Sequence, residues 1–230
     1  MRVEIWSDIA CPWCYVGKAR FEKGLAGFAH RDEVEVVYRS FELDAGSPRA
    51  ATPLLPLLAA KYGLTEEQAR QAELGTAQNA RDEGLEYRTE GRDHGNTFDM
   101  HRLLHLAAKH DRQDELLTLL YRANFADERS AFDPARLLEL GVAAGLDERE
   151  VGAVLADDSL FAAQVRADER EAAELGANGV PFFVFDRRIG VSGAQQAETF
   201  TRALEQAWSA RSSLVTVAAE DAESCGPDGC

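Results

Sequence analysis

The sequence predicts an α/β domain assembled from both ends of the chain, with an all-helical segment inserted between them. Three observations carry this reading. The first forty residues run strand, helix, strand, the crossover unit of a parallel sheet. From Pro53 to Ala177 there is hardly a β-branched run, and Ala, Leu, Glu, Gln and Arg, all strong helix formers, dominate. Strand character returns only at Gly179-Val180-Pro181-Phe182-Phe183-Val184-Phe185, and these residues need the earlier strands as partners.

Val3, Ile5 and Trp6 are strand formers, and Ser7-Asp8 breaks their run. From Tyr15 the spacing of Tyr15, Val16, Ala19 and Phe21 is helical. The second strand starts at Val34-Glu35-Val36-Val37-Tyr38 and reaches Phe41 and Leu43 before Asp44-Ala45-Gly46-Ser47-Pro48 stops it. Thr65 followed three residues on by Gln68 is a capping box. Asn96-Thr97 caps a later helix, and Asp133 with Pro134 at the first helical position starts another. Helices are expected over 115–125, 134–144, 147–155 and 159–175, within a helical domain of about five. After the second β segment come a turn at Asp186-Arg187-Arg188, a short strand at Ile189–Val191, and a last helix over 195–210. Phe200, Leu204, Ala207 and Trp208 form that helix's apolar side. The division is therefore 1–50 with 178–211 as the α/β domain, 51–177 as the helical insert, and 212–230 as an acidic tail.

A chain of 230 residues with a formal net charge of −15 does not suit a nucleic-acid groove or an anionic membrane surface, both of which call for basic patches. No stretch approaches the roughly 20 apolar residues of a membrane helix. Glu4 and Asp8 interrupt the first apolar run, so no secretory signal pattern is present. The cytoplasm is the expected compartment. There a lasting structural disulfide is unusual, and a cycling one is the expected use of paired cysteines.

Cys11-Pro12-Trp13-Cys14 falls where the first strand hands over to the first helix. Cys11 is thus expected among the unpaired N–H groups of a first helical turn, which favour negative charge and ease ionisation of a thiol. Cys14, three residues on, lies on the same side of that turn. Two thiols so placed can close and open a disulfide. The same motif is also half of a zinc site, with Cys225 and Cys230 as the other half, or simply two inert buried thiols. Pro-Trp between the cysteines and a helix behind them favour redox chemistry over a zinc knuckle, which sits on Gly-rich loops. In the tail, Cys225-Gly226-Pro227-Asp228-Gly229-Cys230 is good turn chemistry that brings two thiols together, a candidate second redox pair. His101 and His105, four apart on one helix, are read as packed residues rather than metal ligands, with His101 lining the interface between the two parts of the chain.

The ordered set resembles the DsbA-like form of the thioredoxin fold: strand, Cys-x-x-Cys at a helix start, helical insert, then Gly179-Val180-Pro181. It is most similar to the FrnE-type oxidoreductases, in Trp6-Ser7-Asp8, Asn96-Thr97 with His101-Arg102, Gly179 to Phe183, and Gly193-Ala194-Gln195. The resemblance covers Met1 to about Ala210. It implies a thioredoxin fold with an inserted helical domain, and exchange of disulfides with protein thiol or disulfide clients without a cofactor or metal. Cys11 matches an exposed nucleophile, Cys14 the resolving thiol, and Pro181 a cis-proline facing the pair. Pro12, Trp13, Val180 and His101 match the surrounding client-binding surface. One departure is that Ile5 stands where such proteins carry a buried acid. Glu4 points to the other strand face, so proton transfer to Cys14 falls to Asp8 or to water. Kappa glutathione transferases and 2-hydroxychromene-2-carboxylate isomerases share the scaffold, but usually carry Ser in the place of Cys11. A glutathione-dependent or isomerase activity is the alternative reading, and a zinc-holding or client-binding protein without redox cycling the second.

Overall fold

The structure, a computed structural model, describes residues 1–127 and 129–211. Strand β1 (Arg2–Ser7) runs parallel to β2 (Glu35–Ser40), with Val3 opposite Val36 and Ser7 opposite Ser40, and helix α1 (Pro12–Ala26) makes the crossover. The alternation of the strand decides what each face of β1 does. Val3 and Ile5 enter the main core with Phe21 of α1, whereas Glu4 and Trp6 take the opposite face. There Glu4 meets Arg39 and Arg187, as its strand position predicts, and Trp6 Nε1 donates to the Asp168 carbonyl at 2.8 Å.

The chain then leaves the sheet. A two-residue strand β3 (Thr52–Pro53) is followed by α2 (Leu54–Tyr62) and α3 (Glu66–Asp82). The short strand β4 (Asp93–His94) returns to pair with β3. Five further helices complete the insert: α4 (Phe98–Lys109), α5 (Gln113–Phe125), α6 (Pro134–Ala143), α7 (Glu148–Ala156) and α8 (Ala162–Glu174). Seven helices replace the expected five or so. Helix α2 is the one the sequence hides, because Pro53 and Pro56 read as breakers. Pro56 is only its third residue, where the backbone N–H has no intrahelical partner to lose. The capping box at Thr65 and Gln68 is formed, and Asp133 accepts from Ala135 N–H as a cap should. At α4 the expected pair divides its work: Asn96 Oδ1 accepts from Phe98 N–H, while Thr97 makes no cap bond and is buried.

Strands β5 (Phe182–Phe185) and β6 (Ile189–Ser192) close the sheet in the order β2-β1-β5-β6, with β5 and β6 both antiparallel to their neighbours. Helix α9 (Ala197–Ser209) packs beside α1 on the main-core face, its Phe200 against Phe183 and Phe21. The insert and the sheet share one apolar core: Leu103, Leu116 and Leu120 belong to the same contiguous cluster as Val3, Ile5 and Phe183. This is an α/β thioredoxin fold with helices α2–α8 inserted between strands β2 and β5, the class the sequence predicts. Cys225 and Cys230 lie outside the described residues. No described helix is long and apolar enough to cross a membrane.

Candidate active site

Cys11 is the N-cap residue of α1, in an extended conformation, with Pro12 next as the first helical residue. Its carbonyl accepts from Cys14 and Tyr15 N–H at 3.1 and 3.3 Å, which starts the helix and fixes the two cysteines on one turn. Both cysteines are free thiols. The Cys11 side chain takes no capping hydrogen bond, and its sulfur instead lies 3.7 Å from the Val180 carbonyl. The Val180–Pro181 bond is cis. The Pro181 ring packs on α1 at Gly17, so close that a Cβ there would stand 2.9 Å from Pro181 Cγ.

One expectation is corrected. Cys11, read as an exposed nucleophile, is only 4% exposed, and Cys14 is 2% exposed. The Val180 carbonyl lies against the Cys11 sulfur, and beside them opens a cavity of about 330 Å³ that Cys11 shares with residues of the α2–α3 hairpin. Cys11, Pro12 and Trp13 form one wall of this cavity, and Leu54, Leu57 and Leu58 of α2 face them. Trp13 stays at the rim, 40% exposed. Cys14 is sealed from this space. Burial pushes its thiol well above the ordinary cysteine range, and its hydrogen bond to Cys11 and the charge there push it further. The inner sulfur is therefore held protonated while the outer one faces the cavity.

Asp8 and His101 form a buried pair beneath the motif, with Asp8 Oδ1 at 3.4 Å from His101 Nε2. The Asp8 carboxylate also accepts from Leu43 N–H at 2.7 Å and from Ala10 N–H at 3.2 Å, and its carbonyl accepts from Cys11 N–H. Burial alone would raise the Asp8 carboxyl. The His101 imidazole, the Leu43 amide and the Thr97 hydroxyl outweigh it and hold the group below its usual value. Asp8 thus joins three parts of the chain: the cysteine loop, the end of the second strand segment, and α4. His101 does line the junction between insert and sheet. His105 turns to Asp168 instead, with Nε2 at 3.1 Å, so the two histidines do not converge on one site. From α5, Asn124 donates to the Ile9 carbonyl at 2.9 Å and fixes the same loop from another side.

A family model for the DSBA-like thioredoxin domain matches residues 2–205 of the chain. The chain belongs to that family. A solved structure of a probable DsbA oxidoreductase from Streptomyces coelicolor is 64% identical to this DsbA-like protein, with a TM-score of 0.90, covering 100% of this chain and 98% of that one. A 2-hydroxychromene-2-carboxylate isomerase shares the fold at 12% identity, with a TM-score of 0.67 over 90% of this chain and 95% of that one. The uncharacterized protein YwbO of Bacillus subtilis (strain 168) is 24% identical over 204 residues, 89% of this chain and 96% of the relative.

Of the residues read from the sequence, Cys11, Cys14, Pro12, Trp13, Val180 and Pro181 come together at one end of α1, and His101 reaches them through Asp8. Sequence reasoning missed the cavity wall on α2 and the buried Tyr121 hydroxyl. Burial, and Cys14 close by, push that phenol above its ordinary value. The run Leu54-Leu55-Pro56-Leu57-Leu58 was the available signal for the wall: it has more leucines than a one-sided surface helix needs.

Proposed function

We propose that this DsbA-family protein is a FrnE-type thiol–disulfide oxidoreductase acting on protein clients in a reducing compartment. The observation that supports it best is the division of labour between the two sulfurs: Cys11 faces an open cavity, and Cys14 lies sealed behind it with its proton retained. In the reducing direction the Cys11 thiolate attacks a client disulfide. A Cys11–client S–S bond forms, and the client's other sulfur leaves as a thiolate that takes a proton from water. Cys14 then loses its proton and attacks Cys11, so the second client thiol departs and the Cys11–Cys14 disulfide remains. Two electrons pass to the client, and the oxidising direction is the reverse. Pro12, Trp13 and Val180 supply the contact surface for the client, and Pro181 packs the opposite wall against α1.

The isomerase alternative is less well supported, because an isomerase has no use for a second, buried thiol placed to resolve the first. The Cys225–Cys230 pair is proposed as a second redox centre, and removing residues 225–230 then changes the protein's redox poise. The main reading is tested by reduction of insulin with dithiothreitol as electron source. The wild-type protein is expected to accelerate precipitation of the insulin B chain, and Cys11→Ser to lose that acceleration. Equal activity in Cys11→Ser would overturn it.

A further inference from the structure

Tyr38, Tyr87 and Tyr121 are the buried tyrosines among the described residues, and two of them have hydrogen-bond partners. Tyr38 donates to Asp114 at 3.0 Å and Tyr87 to Glu73 at 2.8 Å. Tyr121, 1% exposed, has none, and its oxygen is the only buried hydroxyl without a partner among the described residues. A buried polar group left unpaired costs free energy, so keeping one calls for a use in some other state of the protein.

Its place indicates that use. Tyr121 lies on α5 one turn before Asn124, whose side chain holds the Ile9 carbonyl of the cysteine loop. The Tyr121 ring is 5.5 Å from that of Tyr15, the residue after Cys14, and 6.1 Å from Phe125. It is not among the residues that line the cavity Cys11 faces, so it belongs to the sealed side of the pair. Around its hydroxyl are Cys14 and Cys11 from α1, Ser7 from β1 and Tyr38 from β2; of the charges there, that of Cys14 bears on it most. Ser7 stands beside the hydroxyl without completing a hydrogen bond. Cys14 in turn is poorly supplied for ionisation. Burial, Cys11 and the Asp8 carboxylate all push its thiol up, against a favourable contact from the Asp8 amide. A phenol O–H turns freely about its C–O bond, and a thiolate accepts far better than a thiol. A donor idle in the resting protein and engaged only when charge appears stabilises that charge selectively.

We propose that the Tyr121 hydroxyl donates a hydrogen bond to the Cys14 sulfur while that sulfur carries negative charge, and thereby speeds resolution of the mixed disulfide. In the reducing direction Cys14 gives its proton to water and its thiolate bonds to the Cys11 sulfur. The Cys11–client S–S bond breaks, its electron pair stays on the client sulfur, and that thiolate takes up a proton from water. Tyr121 keeps its own proton throughout. In the oxidising direction Cys14 is the leaving group, and the same hydrogen bond receives its charge. The proposal rests on the disulfide-exchange reading and adds to it the residue that serves the inner sulfur.

The test is Tyr121→Phe, which removes one oxygen atom and keeps the ring. Because that oxygen is unpaired in the resting protein, the variant should unfold in urea at the wild-type midpoint or above it. The two chemical steps are then read separately with dipyridyl disulfide, which stays reactive in mild acid. There Cys14 is protonated, so attack by Cys11 releases one pyridinethione and the mixed disulfide waits. A jump to higher pH starts resolution, and release of the second pyridinethione times it. In Tyr121→Phe that second release should be slower by about tenfold, the scale of one hydrogen bond to a charged group. The midpoint of its pH profile should rise by about one unit, which is the same tenfold expressed as a pKa. Attack by Cys11, measured in the Cys14→Ser background, should be equal with Tyr or Phe at position 121. An unchanged resolution rate and profile would overturn the proposal. So would equal slowing of the attack step, which would assign the hydroxyl to Cys11, or a loss of stability, which would show it bonded in the resting protein. If the wild-type protein forms no mixed disulfide at all, the exchange reading falls and the proposal with it.

Discussion

Gly17 is the point at which helix α1 touches the Pro181 wall of the site, and Gly17→Ala measures how tightly that wall is set. An alanine in a helix interior is worth about 0.8–1 kcal/mol over glycine. Against this, the new Cβ would stand 2.9 Å from Pro181 Cγ and 3.4 Å from Ala194 Cβ. Carbon atoms pack at about 3.5–4.0 Å, so the proline ring must retreat by roughly half an ångström or more. A ring cannot swing aside as a long side chain does, and Val180, next in the chain, carries the carbonyl 3.7 Å from the Cys11 sulfur. Overpacking of this kind costs about 1–3 kcal/mol, so the net effect is a loss of about 0–2 kcal/mol. The more telling expectation is that client exchange changes by a larger factor than stability does, because the displacement is aimed at Cys11. Urea unfolding with an unchanged m-value gives the first quantity, and the rate of insulin reduction gives the second. A variant that is more stable by the full helix-propensity gain and exchanges disulfides at the wild-type rate would refute the contact.

Three further outcomes are expected. Cys14→Ser should accumulate a mixed disulfide with clients, visible on non-reducing gels, whereas Cys11→Ser should form none; equal trapping by both would reverse the assignment of roles. Gly24→Ala should destabilise by about 2 kcal/mol in urea unfolding, since its Cβ would lie 2.6 Å from the Ala197 carbonyl oxygen and 2.9 Å from Phe200 Cβ, where α1 crosses α9 and backbone cannot yield. Asp8→Asn removes the buried carboxylate that accepts from the Leu43 and Ala10 amides and should cost about 1.5–3 kcal/mol at neutral pH. The Asp8 carboxyl is depressed in the folded protein. Its contribution is therefore present above the unfolded value of about 3.9 and is lost as the pH falls through the lower folded value. Unfolding free energies measured from pH 7 to pH 2 should show that acid-side loss in the wild type and less of it in Asp8→Asn; parallel curves would dismiss the pair as a source of acid sensitivity.

The sheet and the cysteine turn were legible because local signals and global need agree there. Val3, Ile5 and Trp6 put apolar side chains on both faces, as a central strand must, and Pro12 fits a first helical turn. Helix α2 was not legible, because its prolines are judged by a rule for helix interiors that does not apply at a helix start. The depth of Cys11 was not legible either. Motif position says that a thiol sits at a helix N-terminus, but not that a leucine-rich hairpin some fifty residues later stands across from it. Asp8 could be seen as an acid near the motif. That it meets His101, Thr97 and Leu43 depends on how α4 packs, which no local spacing encodes. His101 and His105 share a helical spacing but turn to different carboxylates, Asp8 and Asp168.

The strand order β2-β1-β5-β6 also sets a timetable for synthesis. β1 is made first and finds β2 within one crossover, but its other neighbour is β5, whose Phe183 pairs with Ile5. The whole insert must be translated in between. At about 5–20 residues per second, the roughly 140 residues between the end of β2 and the start of β5 take on the order of 7–30 seconds to emerge. Throughout that interval one side of β1 presents open hydrogen-bonding groups, and the aromatic residues that will cover it do not yet exist. An unpaired edge of this kind is where a nascent chain pairs with the wrong strand. The last short hairpin is thus both a wall of the redox site and the piece whose arrival ends the chain's most vulnerable period on the ribosome.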